Sequence, residues 1–226
     1  MVECSTRLVH HAAAASSTPH SLLYSRKTDE LVFASHAILN FHKDGRNRTV
    51  RSRTILAKIT CITQLSDHIF ALGYDDGSIL IWNDELQEED IVSTQAEVGL
   101  NFSVTALSGV ILSDSKGVFL LSANATGLYY HTKNPGTSLW ERNCFQSGFA
   151  FNCVKIEWLE PQEDQLIIVA GSASPRGNRV RTYTCNAESI NNDSARGSPS
   201  IPIVYQGSLL GHQDWIGAKL NACIQN

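Results

Sequence analysis

The chain has 226 residues, of which 42% are hydrophobic and 18% are charged, and its formal net charge is −4. This length suffices for one or two domains with a sizeable core, and the slightly acidic balance excludes the global charge signature of a nucleic-acid-binding protein. The six cysteines lack zinc-finger spacing, so we interpret them as reduced thiols of an intracellular protein.

The first 20 residues are small and polar around an alanine run at residues 12–15. We predict that residues 1–20 form a flexible arm. The run is too short for a signal peptide, whose apolar region has about 7–15 residues. No stretch approaches the roughly 20 apolar residues of a membrane span.

The clearest structural signal lies at residues 68–84. Two apolar runs, 69–72 and 79–82, flank Asp76-Gly77, a dipeptide typical of tight hairpin turns. The second run is apolar at four successive positions and ends at Trp82, which indicates a strand covered on both faces. A strand, a tight turn and a strand ending in Ile-Trp-Asn are the parts of a propeller blade.

Two charged segments flank this unit. Residues 43–58 carry six of the 18 positive residues: Lys43, Arg46, Arg48, Arg51, Arg53 and Lys58. They indicate either a solvated loop and outer-strand face or a phosphate-binding patch for RNA. Residues 84–90 contain five acids, and we predict an exposed loop that is the electrostatic counterpart of the basic segment.

Short strands broken by Ser, Asp, Gly and Asn turns continue through the chain. We predict an all-β fold, a partial β-propeller with about four blades of short antiparallel strands. The blades are placed roughly at residues 21–50, 51–90, 100–140 and 148–210, with a flexible insertion at 186–200. The incomplete propeller covers 21–216, and 217–226 is a divergent tail.

Gly211-His212, followed by Asp214-Trp215, resembles the junction between blades of WD-repeat propellers, and this resemblance assigns the WD-repeat type. In that family the His joins a hydrogen-bonded chain with a turn Asp, a Ser or Thr, and a Trp. The positions that match this structural motif are Asp76, Gly77, Trp82, Gly211, His212, Asp214 and Trp215.

Several positions depart from the family pattern. The Gly-His expected before Ile59 is absent, His131 and Tyr183 stand at Trp positions, and Ala125 and Gly177 stand at turn Asp positions. The unit that begins at Gly211 is far shorter than the about 40–45 residues of a repeat. We therefore expect a fragment of a longer propeller, with one blade face left uncovered.

Residues 209–216 resemble in particular the WD-repeat subunit 2 family of the Elongator complex, with weaker similarity at 31–41, 75–82 and 147–153. This resemblance implies a non-catalytic scaffold in the cytoplasm and nucleus. Its partners would be the large scaffold subunit and the catalytic acetyltransferase-like subunit of a complex that modifies wobble uridines in tRNA. That complex is also linked to transcription elongation.

Enzyme signatures are missing from the sequence, including Gly-x-Ser-x-Gly, His-Glu-x-x-His and the glycine-rich phosphate loops. We therefore expect no catalytic residue, cofactor or metal site, and we interpret Cys144, Cys153 and His131 as packing residues. Two alternatives stay open. One is an RNA-binding module that uses residues 43–58, and the other is an unrelated WD-repeat adaptor protein.

Overall fold

The computed structural model describes residues 20–94, 102–112, 117–133, 139–159, 164–173, 178–190 and 201–212. In this part of the chain, 16 strands form four antiparallel sheets of four strands each, and every sheet is a meander of consecutive strands. The predicted all-β fold with about four blades is confirmed. The arm before His20, Asp214, Trp215 and the tail 217–226 lie outside the described residues.

We name the sheets blades A to D. Blade A contains β1 (Leu22–Ser25), β2 (Glu30–Ser35), β3 (Ile38–Lys43) and β4 (Arg46–Arg51). Blade B contains β5 (Ile59–Ser66), β6 (Ile69–Tyr74), β7 (Ile79–Asn83) and β8 (Glu88–Ser93).

Blade C contains β9 (Ala106–Ile111), β10 (Val118–Ala123), β11 (Gly127–Lys133) and β12 (Trp140–Ser147). Blade D contains β13 (Ala150–Trp158), β14 (Gln165–Ala173), β15 (Asn178–Asn186) and β16 (Val204–His212). In each blade the first and last strands are the two edges of the sheet.

The blades stack face to face, and the hydrophobic core lies between them. One cluster joins blades A and B through residues such as Phe41 and Phe70, whose rings meet edge to face with centroids 5.4 Å apart. Further clusters join B to C and C to D. We call the face that a blade turns to the preceding blade its incoming face, and the opposite face its outgoing face.

The predicted hairpin at Asp76-Gly77 is present between β6 and β7. Gly77 has φ +87°, a left-handed conformation that glycine adopts without steric cost. The Gly77 N–H donates to the Tyr74 carbonyl at 3.2 Å, and the Asp76 carboxylate accepts from the Ser78 N–H at 2.9 Å. Asp76 is therefore a turn organiser, as aspartate commonly is.

Two local predictions need correction. Residues 84–90 are not all loop, because Glu88–Ser93 forms β8, anchored by Val92, which is 4% exposed. The predicted insertion at 186–200 is also wrong at its start, since β15 continues to Asn186 and a short helical turn follows at 187–190. Ala187 and Ile190 are three residues apart, so both face the C–D core, where they are buried. Residues 191–200 lie outside the described part.

Candidate interaction surfaces

The same backbone hydrogen bond recurs at each of the three junctions between blades. The N–H of Ile59 donates to the His36 carbonyl at 2.8 Å, and the N–H groups of Val104 and Phe151 donate to the Tyr74 and Asn124 carbonyls at 3.0 Å each. In every case the acceptor lies at the end of the second strand of one blade or directly after it. The donor lies at or near the start of the first strand of the next blade. These bonds fix neighbouring blades to one another.

Charged links join the outer strands to the next blade. Arg48 of β4 binds the Asp84 carboxylate through two N–H···O contacts of 2.6 and 2.7 Å. Asp90 of β8 binds Lys133 of blade C at 2.7 Å and accepts from the Trp140 Nε1–H at 3.2 Å. The Arg48–Asp84 pair confirms the predicted electrostatic pairing of the basic segment with the acidic segment.

The six residues of the basic segment do not lie on one face. Arg46 and Arg48 share the outgoing face of β4 with Val50, whereas Arg51 lies on the incoming face. Arg46, Arg51 and Arg53 are exposed, and no hydrogen bond or ion pair of their side chains is seen among the described residues.

The other basic residues are tied into the local structure or lie next to acids. Lys43 Nζ donates to the Thr28 carbonyl at 2.6 Å, and the Arg48 guanidinium lies 4.0 Å from the centroid of the Phe41 ring. Glu89 accepts from the Arg53 N–H at 2.8 Å, and Asp75 accepts from the Lys58 N–H at 3.0 Å. The positive potential of the segment is therefore divided and partly neutralised.

Trp82 is buried at 6% exposure on the incoming face of blade B. Its Nε1–H donates to Asp84 Oδ1 at 3.1 Å, the carboxylate that also binds Arg48. Asp76 caps its own turn and is not bonded to Trp82. The two motif residues therefore make separate contacts.

His131 takes the place of Trp82 in blade C, because each faces the preceding blade from the third strand. Its Nε2 lies 2.8 Å from the hydroxyl of Ser122 on β10, and its Nδ1 has no partner among the described residues. Burial, reinforced by the charge of Arg142, lowers the pKa of His131 to about 3. The ring is therefore neutral. In blade B the position of Ser122 is occupied by Leu72.

The turn of blade C is organised by Asn124 rather than by an aspartate one residue later. Asn124 Oδ1 accepts from the N–H groups of Thr126 and Gly127 at 2.8 and 3.0 Å. The resemblance to the WD-repeat pattern assigned the turn Asp position to Ala125, so Asn124 was not predicted. The Asn-x-Thr-Gly pattern is the signal that identifies it, because asparagine side chains commonly bond to the backbone two residues on.

No protein-family model and no curated protein matches the sequence. Among solved structures, the Cps50 (Swd1) β-propeller domain of Myceliophteria thermophila is 18% identical with a TM-score of 0.57, and the match covers 85% of this chain and 58% of that domain. The fold is a partial β-propeller. The designed protein Ika4 is 18% identical with a TM-score of 0.49 over 80% of this chain and 98% of its own length.

Gly211 and His212 end β16, the outer strand of blade D, and the backbone of His212 pairs with that of Asn178. The junction motif therefore follows directly from blade D along the chain, although Asp214 and Trp215 lie outside the described residues. Among the helices of the described part, none has the length and hydropathy to cross a membrane.

The first strands of all four blades line an axial cavity of about 320 Å³. Its lining includes His20, Gln64, Ser108 and Lys155. Burial lowers the pKa of His20, opposed by a hydrogen bond with the backbone of Asn152 in blade D. Blade A therefore approaches blade D across the axis, as expected of sheets arranged around a common centre.

Blade A exposes an apolar surface. Leu22 and Tyr24 of β1 are 57% and 56% exposed, and Leu31 and Ile38 are each 37% exposed. Tyr24 pairs with Leu31, and Leu22 pairs with Phe33, so these side chains share the incoming face. This face is a candidate interaction surface, because contiguous exposed apolar residues mark binding sites.

Proposed function

We propose that this protein is a non-catalytic scaffold that acts by binding other proteins. In particular, we propose an Elongator-type complex in which its partners are the large scaffold subunit and the catalytic acetyltransferase-like subunit. It would support tRNA wobble-uridine modification and, by association, transcription elongation. The observation that carries the scaffold role is the repeated backbone link between blades, which holds exposed loops and faces in fixed positions, as binding propellers do. The Elongator assignment rests on the resemblance of residues 209–216.

The ionisation of the buried side chains supports a non-catalytic role. Burial raises the pKa of Cys61 and Cys185 to about 12 and that of Cys153 to about 11. These thiols are protonated at neutral pH and are poor nucleophiles, since the thiolate is the reactive form. His131 is unsuited to act as a general base at neutral pH, because a catalytic pKa lies near the working pH.

Co-purification with the tagged full chain tests the Elongator assignment. We expect recovery of the large subunit and the acetyltransferase-like subunit, and localisation to both cytoplasm and nucleus by fractionation. Leu86→Asp serves as a control, because Leu86 is 61% exposed in the turn before β8. Recovery of other proteins without any Elongator subunit, from a chain that circular dichroism shows to be folded, would favour the unrelated adaptor.

RNA binding is the second candidate, favoured by the exposed side chains of Arg46, Arg51 and Arg53. The triple charge reversal of these residues to Glu tests it by filter binding of tRNA over a range of salt concentrations. If the candidate is correct, affinity falls and the salt dependence weakens, because each lost phosphate contact lowers the salt slope by about one unit. Partner subunits should still bind. Unchanged tRNA retention would eliminate this candidate.

A further inference from the structure

The basic segment contains one four-residue pattern twice. Arg46-Asn-Arg48-Thr49 and Arg51-Ser52-Arg53-Thr54 each place a threonine one and three residues after an arginine. Many protein kinases choose their acceptor hydroxyl by the arginines that precede it, because acidic groups of the kinase bind the guanidinium groups. The sequence alone therefore offers two equivalent acceptors for such a kinase.

The structure distinguishes the two threonines. Thr49 lies inside β4, where it pairs with Asn40 of β3. Thr54 is exposed in the connection between β4 and β5, and residues 52–58 of this connection form no strand. Such connections open locally more readily than paired strands, and a kinase has to hold its substrate as an open chain. Thr54 is therefore the better acceptor.

Glu89 of β8 holds this connection against blade B. Its carboxylate accepts from the Thr54 hydroxyl at 3.3 Å, from the Ser52 hydroxyl at 3.2 Å and from the Arg53 N–H at 2.8 Å. Ser52 Oγ in turn accepts from the Ile55 N–H at 2.9 Å, and Ile55 is buried in the A–B core. The Thr54 hydroxyl therefore belongs to a polar contact between blades A and B.

We propose that Thr54 is a phosphorylation site for an arginine-directed protein kinase, and that its modification loosens the contact between blades A and B. Thr54 Oγ1 attacks the γ-phosphorus of ATP, so that the Oγ1–P bond forms and the bond from this phosphorus to the β–γ bridging oxygen breaks. ADP leaves, and the hydroxyl proton passes to the catalytic base of the kinase. The product carries about −1.5 to −2 charges at pH 7.

The phosphate weakens the Glu89 contact in two ways. The esterified Oγ1 has no hydrogen to donate, and the new charge lies beside a carboxylate whose Oε2 is 3.3 Å from the modified oxygen. Negative groups placed so close repel each other. Arg51 and Arg53 have exposed side chains without a partner among the described residues, so they are available to pair with the phosphate. The connection therefore exchanges its contact with blade B for an ion pair within itself.

Opening of the connection should limit the rate of modification, because Ile55, directly after the acceptor, is only 6% exposed. Glu89→Ala removes the carboxylate that holds the connection, so it should raise the rate of phosphorylation severalfold. Glu88→Ala is the matched control, since Glu88 is the exposed neighbour on β8 and no hydrogen bond joins it to the described connection. Equal rates in the two variants would contradict the role of Glu89.

The melting temperature tests the effect of the phosphate. Phosphorylation should lower it by about 2–4 °C, the shift that loss of one modest contact produces in a chain of this length. Glu89→Gln keeps the size and an acceptor oxygen but removes the charge, so phosphorylation of this variant should shift the melting temperature less. Equal shifts in the two proteins, or no shift in the wild type, would overturn the proposed loosening.

The site itself is tested by incubating the purified full chain with ATP and the catalytic subunit of cyclic-AMP-dependent protein kinase, an arginine-directed enzyme. Mass spectrometry of the digested protein then locates the phosphate. We expect one phosphoryl group at Thr54, absent from Thr54→Val and retained in Thr49→Val. A full chain without phosphate at Thr54, or one modified preferentially at Thr49, would overturn the proposed site.

Discussion

Ser122 Oγ lies 2.8 Å from His131 Nε2 across β10 and β11, inside the contact between blades B and C. The imidazole is fully buried and neutral. This pair occupies the place where blade B combines Trp82 with Leu72. Blade C therefore uses a small polar pair where its neighbour uses a large ring beside an aliphatic side chain.

The titration of His131 should make stability depend on pH. The unfolded chain binds a proton near the ordinary pKa of 6.5, whereas the folded chain does so near 3, so acid favours the unfolded state. This contribution is complete above pH 6.5 and is lost as pH falls toward 3, with a slope of at most about 1.4 kcal/mol per pH unit. Urea denaturation at pH 7, 5 and 4 measures it. His131→Gln should flatten the dependence, and an equal slope in both proteins would contradict the assignment.

Removal of the Ser122 hydroxyl should destabilise the fold. Ser122→Ala leaves a buried imidazole nitrogen without its partner, a loss of about 1–3 kcal/mol. The free energy of unfolding at pH 7 gives the value. In a double-mutant cycle, His131→Leu should lower the free energy of unfolding less in the Ser122→Ala protein than in the wild type. Strict additivity would show that the two side chains do not interact.

The Arg48–Asp84 link should contribute modestly and should be sensitive to salt. The Arg48 side chain is 42% exposed, so we expect Arg48→Ala to cost about 0.5–1 kcal/mol after solvent screening. Asp84→Ala should cost more, because Trp82 Nε1–H also loses its acceptor. Denaturation in low and high salt separates the two effects. The Arg48 effect should shrink in salt, while the Trp82 part of the Asp84 effect should persist.

Gly73 should not tolerate a methyl group. A Cβ at this position would lie 2.6 Å from Cys61 Sγ and 2.7 Å from Val104 Cγ1, in the contact between blades B and C. We expect Gly73→Ala to destabilise by about 1–3 kcal/mol through overpacking. Gly207→Ala is the matched control, because its Cβ would have no neighbour within 4 Å. Similar melting temperatures for the two variants would contradict the expected clash.

Features set by adjacent residues were predictable from the sequence. Asp76-Gly77 specifies its turn because only the conformations of neighbouring residues are involved. The Arg48–Asp84 pair was anticipated only as a match between charged segments, since 36 residues separate the partners. The Ser122–His131 pair was missed because it depends on the register of two strands, which short-range patterns do not specify.

The two local errors have related causes. The polar composition of residues 84–90 and 186–200 favoured loops. Tertiary packing nevertheless orders part of each segment, as β8 in the first and as the end of β15 with its helical turn in the second. Val92 anchors the end of β8, and Ile190 holds the helical turn after β15 in the C–D core. A single apolar side chain that reaches a core can therefore order a polar segment, a form of tertiary override that composition does not reveal.

At the junctions at Ile59, Val104 and Phe151 main-chain amides are the donors, and the hydroxyls of Thr60 and Thr105 add hydrogen bonds to the carbonyls of Val104 and Phe151. Any residue with a backbone N–H can donate this hydrogen bond. The residue type at these three positions is therefore limited mainly by packing. Proline is the exception, because it has no amide hydrogen. A single proline at one of these sites would remove one hydrogen bond between two adjacent blades, while the apolar clusters that join those blades would remain.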